Sequence, residues 1–132
     1  TSGTRVYRFA LFQDGCLSSP VVTRSYIKRD KSFNIPVVSV VTDPDHLYDP
    51  TIGFLTKGTN GRRGKGTSEY CNWNHDWDRP VNFEMLDPQT GKSLINMETD
   101  MSRCGGHSKG FTPFSFKIKA GKEYEGQNYL ER

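Results

Sequence analysis

The sequence predicts a mainly β chain, with antiparallel strands and hairpins, long Gly-rich loops and little helix. Three observations carry this. Apolar and polar residues alternate with period two in Thr4–Phe12, Arg79–Leu86 and Phe114–Ala120. The β-branched run Ile35-Pro36-Val37-Val38-Ser39-Val40-Val41 reads as a strand covered on both faces or nearly so. No stretch longer than about ten residues shows a helical period of 3.6.

Taken in order, Thr4–Phe12 places Arg5, Tyr7, Phe9 and Leu11 on its more apolar side. Gln13-Asp14-Gly15 is a turn signal, and Val21–Ile27 after Ser18-Ser19-Pro20 is the returning strand. Two strands alone are marginal in water, so this hairpin is expected to dock on something further. Lys28–Ser32 is a charged linker of the kind that separates modules. After Ile35–Val41, Thr42-Asp43-Pro44-Asp45 is a Pro-broken acidic turn with capping residues. His46–Pro50 makes one short turn, and Ile52-Gly53-Phe54-Leu55 is expected to restart as a strand.

Lys57–Asn74 is glycine-rich and polar with no apolar period, which reads as a solvated loop. Its Gly61-Arg62-Arg63-Gly64-Lys65-Gly66 lacks the GK[ST] ending of a phosphate-binding loop. Arg79–Leu86 is expected to bury Val81, Phe83 and Met85 against outward Asn82 and Glu84. Asp87–Gly91 turns the chain, and Ser93–Met101 completes a hairpin with Ile95, Met97, Thr99 and Met101 in phase. Gly105–Gly110 is a second flexible loop, and Phe114–Ala120 a closing strand with Phe114, Phe116 and Ile118 inward. Lys122–Arg132 has room for one helical turn.

At 132 residues the chain has the length of one domain by a prior of roughly 100–200 residues. A 33% hydrophobic share and a mean hydropathy of −0.71 point to long polar loops or a missing partner segment. The 12% aromatic content argues against disorder. Net charge +3, from 18 basic and 15 acidic residues in mixed order, is too mild for a nucleic-acid partner. No apolar run approaches the ~20 residues of a membrane span, so no membrane insertion is expected. The opening Thr1-Ser2-Gly3 suggests a processed start and a piece of a larger protein.

Cys16, Cys71 and Cys104 leave an odd thiol and have no zinc-site spacing; a Cys71–Cys104 disulfide is weighed against three independent thiols. Asp43, Asp45 and Asp49 lack the order of a calcium loop, and Asp-Pro turns account for them, so no metal site is assigned. Arg103, Gly105, Gly106 and Lys109 have the composition of a phosphate site, with glycines that admit backbone N–H groups and cations that offset charge. Tyr70, Trp73, Asn74 and His75 are candidates for glycan contact, pairing flat rings with polar neighbours. Trp77 is expected in the core, and His46 and His107 on the surface. Cys104 has no visible base, and no catalytic residue is assigned.

The strand TRVYRFALF, the turn DG and the run SSPVVTRSYI resemble the last hairpin of the small immunoglobulin-like module at the C-terminal end of chitobiase and hexosaminidase enzymes. From Ile35 onward, IPVVSVVTDPDHLYDPTIGF, WDRPVNFEMLDPQTG and GGHSKGFTPFSFKIK followed by KEYEG resemble the start of the spore-coat protein H (CotH) family of atypical, kinase-like proteins. The organisation so implied is a terminal hairpin at 1–27, a linker at 28–34, and the N-terminal part of a CotH-like domain at 35–132.

The resemblance implies a secreted or cell-surface bacterial parent of the atypical protein-kinase class. It further implies a non-catalytic role for this stretch, positioning a substrate or partner. Mg-ATP is a cofactor only if the parent is an active kinase. Two departures stand out. Ser102-Arg103-Cys104-Gly105-Gly106 replaces a basic-Ile-His-Gly-Gly run, and Phe114 stands where a lysine precedes the serine. Lys109, Lys117 and Lys119 are the remaining lysines nearby. The alternative is a carbohydrate-binding module, so the expected partner is a surface protein or a glycan, with a homodimer through unpaired edge strands as a further expectation.

Overall fold

A computed structural model describes residues 3–28, 30–31, 33–64, 69–110 and 112–120. It is mainly β, with 46% strand against 10% helix, and its paired strands are antiparallel. The strands are β1 (Gly3–Phe9), β2 (Phe12–Gln13), β3 (Cys16–Leu17), β4 (Val22–Lys28), β5 (Val37–Val41), β6 (Arg62–Arg63), β7 (Tyr70–Cys71), β8 (Asp78–Leu86), β9 (Ser93–Arg103) and β10 (Phe116–Lys119). One helix, α1 (Pro44–Tyr48), and two 3-10 turns, Asn72–Asn74 and His107–Gly110, complete the elements among the described residues. The sheets run β1-β4, β2-β3, β6-β7 and β10-β9-β8-β5. The helical turn expected within Lys122–Arg132 lies outside the described residues, as do Arg29 and Ser32 of the linker and Lys65 and Gly66 of the Gly-rich loop.

The chain divides into two compact units, residues 1–41 with 82–97 and residues 42–81 with 98–132. In the first, β1 and β4 form the expected ribbon, Gly3 opposite Lys28 and Phe9 opposite Val22. Its tip is the β2–β3 hairpin, where Asp14 and Gly15 both take positive φ, 50° and 78°. That is the mirror-image turn that a DG pair favours. β5 pairs with β8 from Val37 opposite Leu86 to Val41 opposite Asn82.

Here the structure corrects two expectations. β5 is an edge strand, not one covered on both faces, and Val38 and Val40 are exposed. On β8 Val81 is buried as expected, but so are the polar residues: Asn82 is 5% and Glu84 1% exposed, whereas Phe83 and Met85 are half-buried. The cause is a set of polar partners. Ser25 N donates to Glu84 Oε2 at 2.8 Å, the Ser25 and Ser39 hydroxyls meet at 2.8 Å, Asn82 Nδ2 donates to Asn96 Oδ1 at 3.0 Å, and Asn96 Nδ2 donates to Thr23 O at 3.0 Å. These partners offset the cost of burying the groups, although Asn82 Oδ1 has no partner among the described residues, and this network is what the hairpin docks on.

The Glu84 carboxyl shows the balance directly. Burial favours its neutral form, but the donors on Ser25, Ser93 and Asn96 outweigh burial and hold its pKa below the ordinary glutamate value.

The second unit has the apolar core. Phe54, Val81 and Met101 are buried together, with Leu47, Leu55 and Trp77 packed against them, as expected for Trp77. Asp43 caps α1 by accepting from Asp45 N at 3.0 Å. Ile52–Leu55 is a turn and not a strand, because its amides return to the helix: Gly53 N donates to Asp49 O, Phe54 N to His46 O and Leu55 N to Leu47 O. A Cβ on Gly53 would come within 2.6 Å of Asp49 N, so only glycine permits this return. β10 pairs with β9, Phe116 opposite Arg103 and Lys119 opposite Asp100. Phe116 and Ile118 are exposed rather than inward.

Candidate functional site

The stretch read as a solvated loop, Lys57–Asn74, is held in place by two buried asparagines in its described part. Asn72 is 0% exposed. Its side-chain amide donates to Pro50 O at 2.9 Å and to Gly53 O at 3.1 Å, and accepts from Asn60 N at 3.2 Å. Asn74 donates to Arg62 O at 2.9 Å and to Glu69 O at 3.3 Å, while Arg62 Nε returns a bond to Asn74 O at 2.7 Å. These reciprocal bonds, with the β6–β7 pair, make the loop a scaffold and fix the position of Trp73 between the two asparagines.

Arg103 ends β9 and is 5% exposed. Among the described residues, none of its three guanidinium nitrogens has a hydrogen-bond partner. The guanidinium carbon lies 4.3 Å from the Phe114 ring centroid and 5.9 Å from that of Trp73. Burial lowers the Arg103 pKa, and the adjacent Cys104 sulfur acts in the opposite direction. A cation held by aromatic faces keeps its N–H edges as its remaining binding capacity, and those edges match a carboxylate or phosphate in bidentate geometry.

The other phosphate candidates are placed differently. Gly105 takes φ 108° and Gly106 O accepts from Lys109 N, which sets up the 3-10 turn in place of the expected flexible loop. That turn lies against the Asn72–Asn74 turn. The Lys109 ammonium is 3.3 Å from Asp76 Oδ1, and Arg62 holds the other Asp76 oxygen at 2.6 Å. Those two cations hold the Asp76 carboxyl below its ordinary pKa. Lys119 is likewise engaged, 2.7 Å from Asp78.

Of the glycan candidates, Tyr70 is 65% exposed and Asn74 is buried. His75 stacks on Trp77 with ring centroids 4.1 Å apart and its Nε2 lies 2.8 Å from Asn60 O. Tyr70, Trp73, Asn74 and His75 therefore do not share one exposed platform: Trp73 belongs with Arg103, and His75 with Trp77. Sequence reasoning missed Phe114 as the ring nearest the Arg103 guanidinium, because its phase suggested an inward core residue. The three thiols are free, with Cys16 exposed, Cys71 buried and Cys104 between them. No group of three or more acidic, histidine or cysteine side chains among the described residues is arranged to hold a metal ion. No helix among the described residues is long and apolar enough to cross a membrane.

No family model, curated protein or solved structure matches this chain.

Proposed function

We propose that this chain is a non-catalytic region of a CotH-like, kinase-like protein, and that it positions an anionic substrate or partner through Arg103. The observation that carries the reading is the buried, unpartnered guanidinium between Phe114 and Trp73. Desolvating a cation costs several kcal/mol, and a stacked ring returns only about 0.5–2 kcal/mol. An incoming phosphate or carboxylate supplies the missing acceptors.

The absence of phosphoryl transfer is supported by the residue at the expected lysine position. Phe114 stands at the position of the expected lysine, and Lys109 and Lys119 are committed to Asp76 and Asp78. The secreted or surface location and the atypical-kinase parent are part of the same proposal and rest on the motif resemblance.

A thermal-shift titration tests the reading. A ligand at one hundred times its Kd stabilises by ~2.7 kcal/mol. A phosphoserine peptide is expected to raise the melting temperature of the native chain and not of Arg103→Met, while Mg-ATP and Mn-ATP leave both unchanged. A shift with Mg-ATP would overturn the non-catalytic role. No response to phosphopeptide or to acidic peptide would overturn the anion-positioning role.

A further inference from the structure

The first unit contains a cleft of 1040 Å³ that the reading above does not use. One wall is the β1–β4 ribbon. Its register puts Arg5 opposite Tyr26, Tyr7 opposite Arg24 and Gly3 opposite Lys28, so two tyrosine rings and three cations share one ribbon face, and all five line the cleft. Tyr7 is 47% and Tyr26 60% exposed, and their rings meet edge to face at 5.7 Å and 76°.

Among the described residues Arg5, Arg24 and Lys28 have no ion-pair partner. Arg24 gives one N–H, to Thr23 O at 3.1 Å. On the other wall the Glu84 carboxylate is saturated by its donors, Ser93 among them, and Asp87 Oδ1 accepts from Gln89 N, Thr90 N and Thr90 Oγ1.

We propose that this cleft binds an acidic oligosaccharide, a short chain of uronate sugars. The unpaired cations call for a negatively charged ligand, and the exposed rings call for one with an apolar face. Two rings near 76° cannot sandwich a flat nucleobase. A pyranose, by contrast, lays its C–H face on one ring and turns its equatorial hydroxyls toward the hydroxyl of the other. The cleft volume is at the upper end of ligand pockets, ~300–1,000 Å³, which suits several linked sugars. This site is in a different unit from Arg103 and stands independently of the phosphate reading.

Calorimetric titration of the full chain with a galacturonate tetramer tests the proposal, with neutral cellotetraose and a uridine tetranucleotide as comparisons. Saturable binding is expected for the uronate, about tenfold weaker for each comparison ligand, and weaker when salt rises from ~0.05 to ~0.5 M. Tyr26→Ala and Arg5→Gln are each expected to weaken it about tenfold with unchanged circular dichroism, since both side chains are on the exposed ribbon face. Should Tyr26→Ala lose the fold, Tyr7→Ala on the facing strand serves instead. Absence of saturation, equal binding of cellotetraose, equal or tighter binding of the tetranucleotide, or indifference to both substitutions in a folded protein would each overturn the proposal.

Discussion

Replacing Arg103 with methionine should make this protein more stable, against the usual direction of core substitutions. The guanidinium is buried at 5% exposure and none of its nitrogens has an acceptor among the described residues, so the folded state carries a desolvation cost of several kcal/mol. The Phe114 and Trp73 faces offset about 0.5–2 kcal/mol of it. Methionine keeps an unbranched stem of similar reach and a sulfur that packs favourably on aromatic rings. The net gain is roughly 1–3 kcal/mol, or a rise in melting temperature of roughly 5–10 °C for a domain of this size. Melts followed by circular dichroism in a buffer free of phosphate and carboxylate measure it. Arg103→Ala is the control, because it removes the charge but leaves a cavity and should gain less. A melting temperature for Arg103→Met well below that of the native chain would refute the reasoning, since it would mean that the guanidinium has a partner in solution.

Three further outcomes follow from the same structure. Glu84→Gln should cost roughly 1.5–3 kcal/mol at neutral pH through loss of charge-assisted hydrogen bonds. Because the folded-state pKa of Glu84 is depressed, its contribution is present above the ordinary value of 4.5 and is lost as pH falls from there through the lower folded-state value, so the two proteins should converge in urea melts as the pH is lowered. Phe54→Ala should cost about 3–5 kcal/mol in the same assay, because a 1% exposed ring leaves the centre of the apolar cluster. Thiol-labelling kinetics should rank Cys16 fastest and Cys71 slowest, since burial, with Glu69 adding to it, raises the Cys71 pKa and withholds its thiolate.

The strands were legible where local chemistry decided them. The Asp14-Gly15 turn, the β1–β4 ribbon and the β8–β9 hairpin follow from period-two alternation and turn residues a few positions apart. Burial was not legible, because its causes are distant in sequence. Asn82 and Glu84 read as an outward face, and what turns them inward is Ser25, 59 residues from Glu84, and an Asn96 that is itself anchored to Thr23, 73 residues away. Ile52–Leu55 has strand composition, yet its amides close on the carbonyls of α1 and Asp49. Arg103 was found as a candidate by its glycine neighbours. Its aromatic enclosure was not, because Trp73 and Phe114 come from segments on either side of it that nothing local brings together.

The buried polar network of the first unit also bears on ancestry. A core of aliphatic side chains can drift, since leucine, isoleucine and valine interchange at modest cost. A hydrogen-bonded core drifts less freely, because replacing one partner leaves the other buried and unsatisfied. Ser25, Ser39, Asn82, Glu84 and Asn96 contribute side chains and therefore form a signature that should outlast overall similarity, whereas Thr23 enters only through its backbone carbonyl. A distant relative of this chain is better sought through the paired serines, Asn-x-Glu and a later asparagine in register than through its hydrophobic profile.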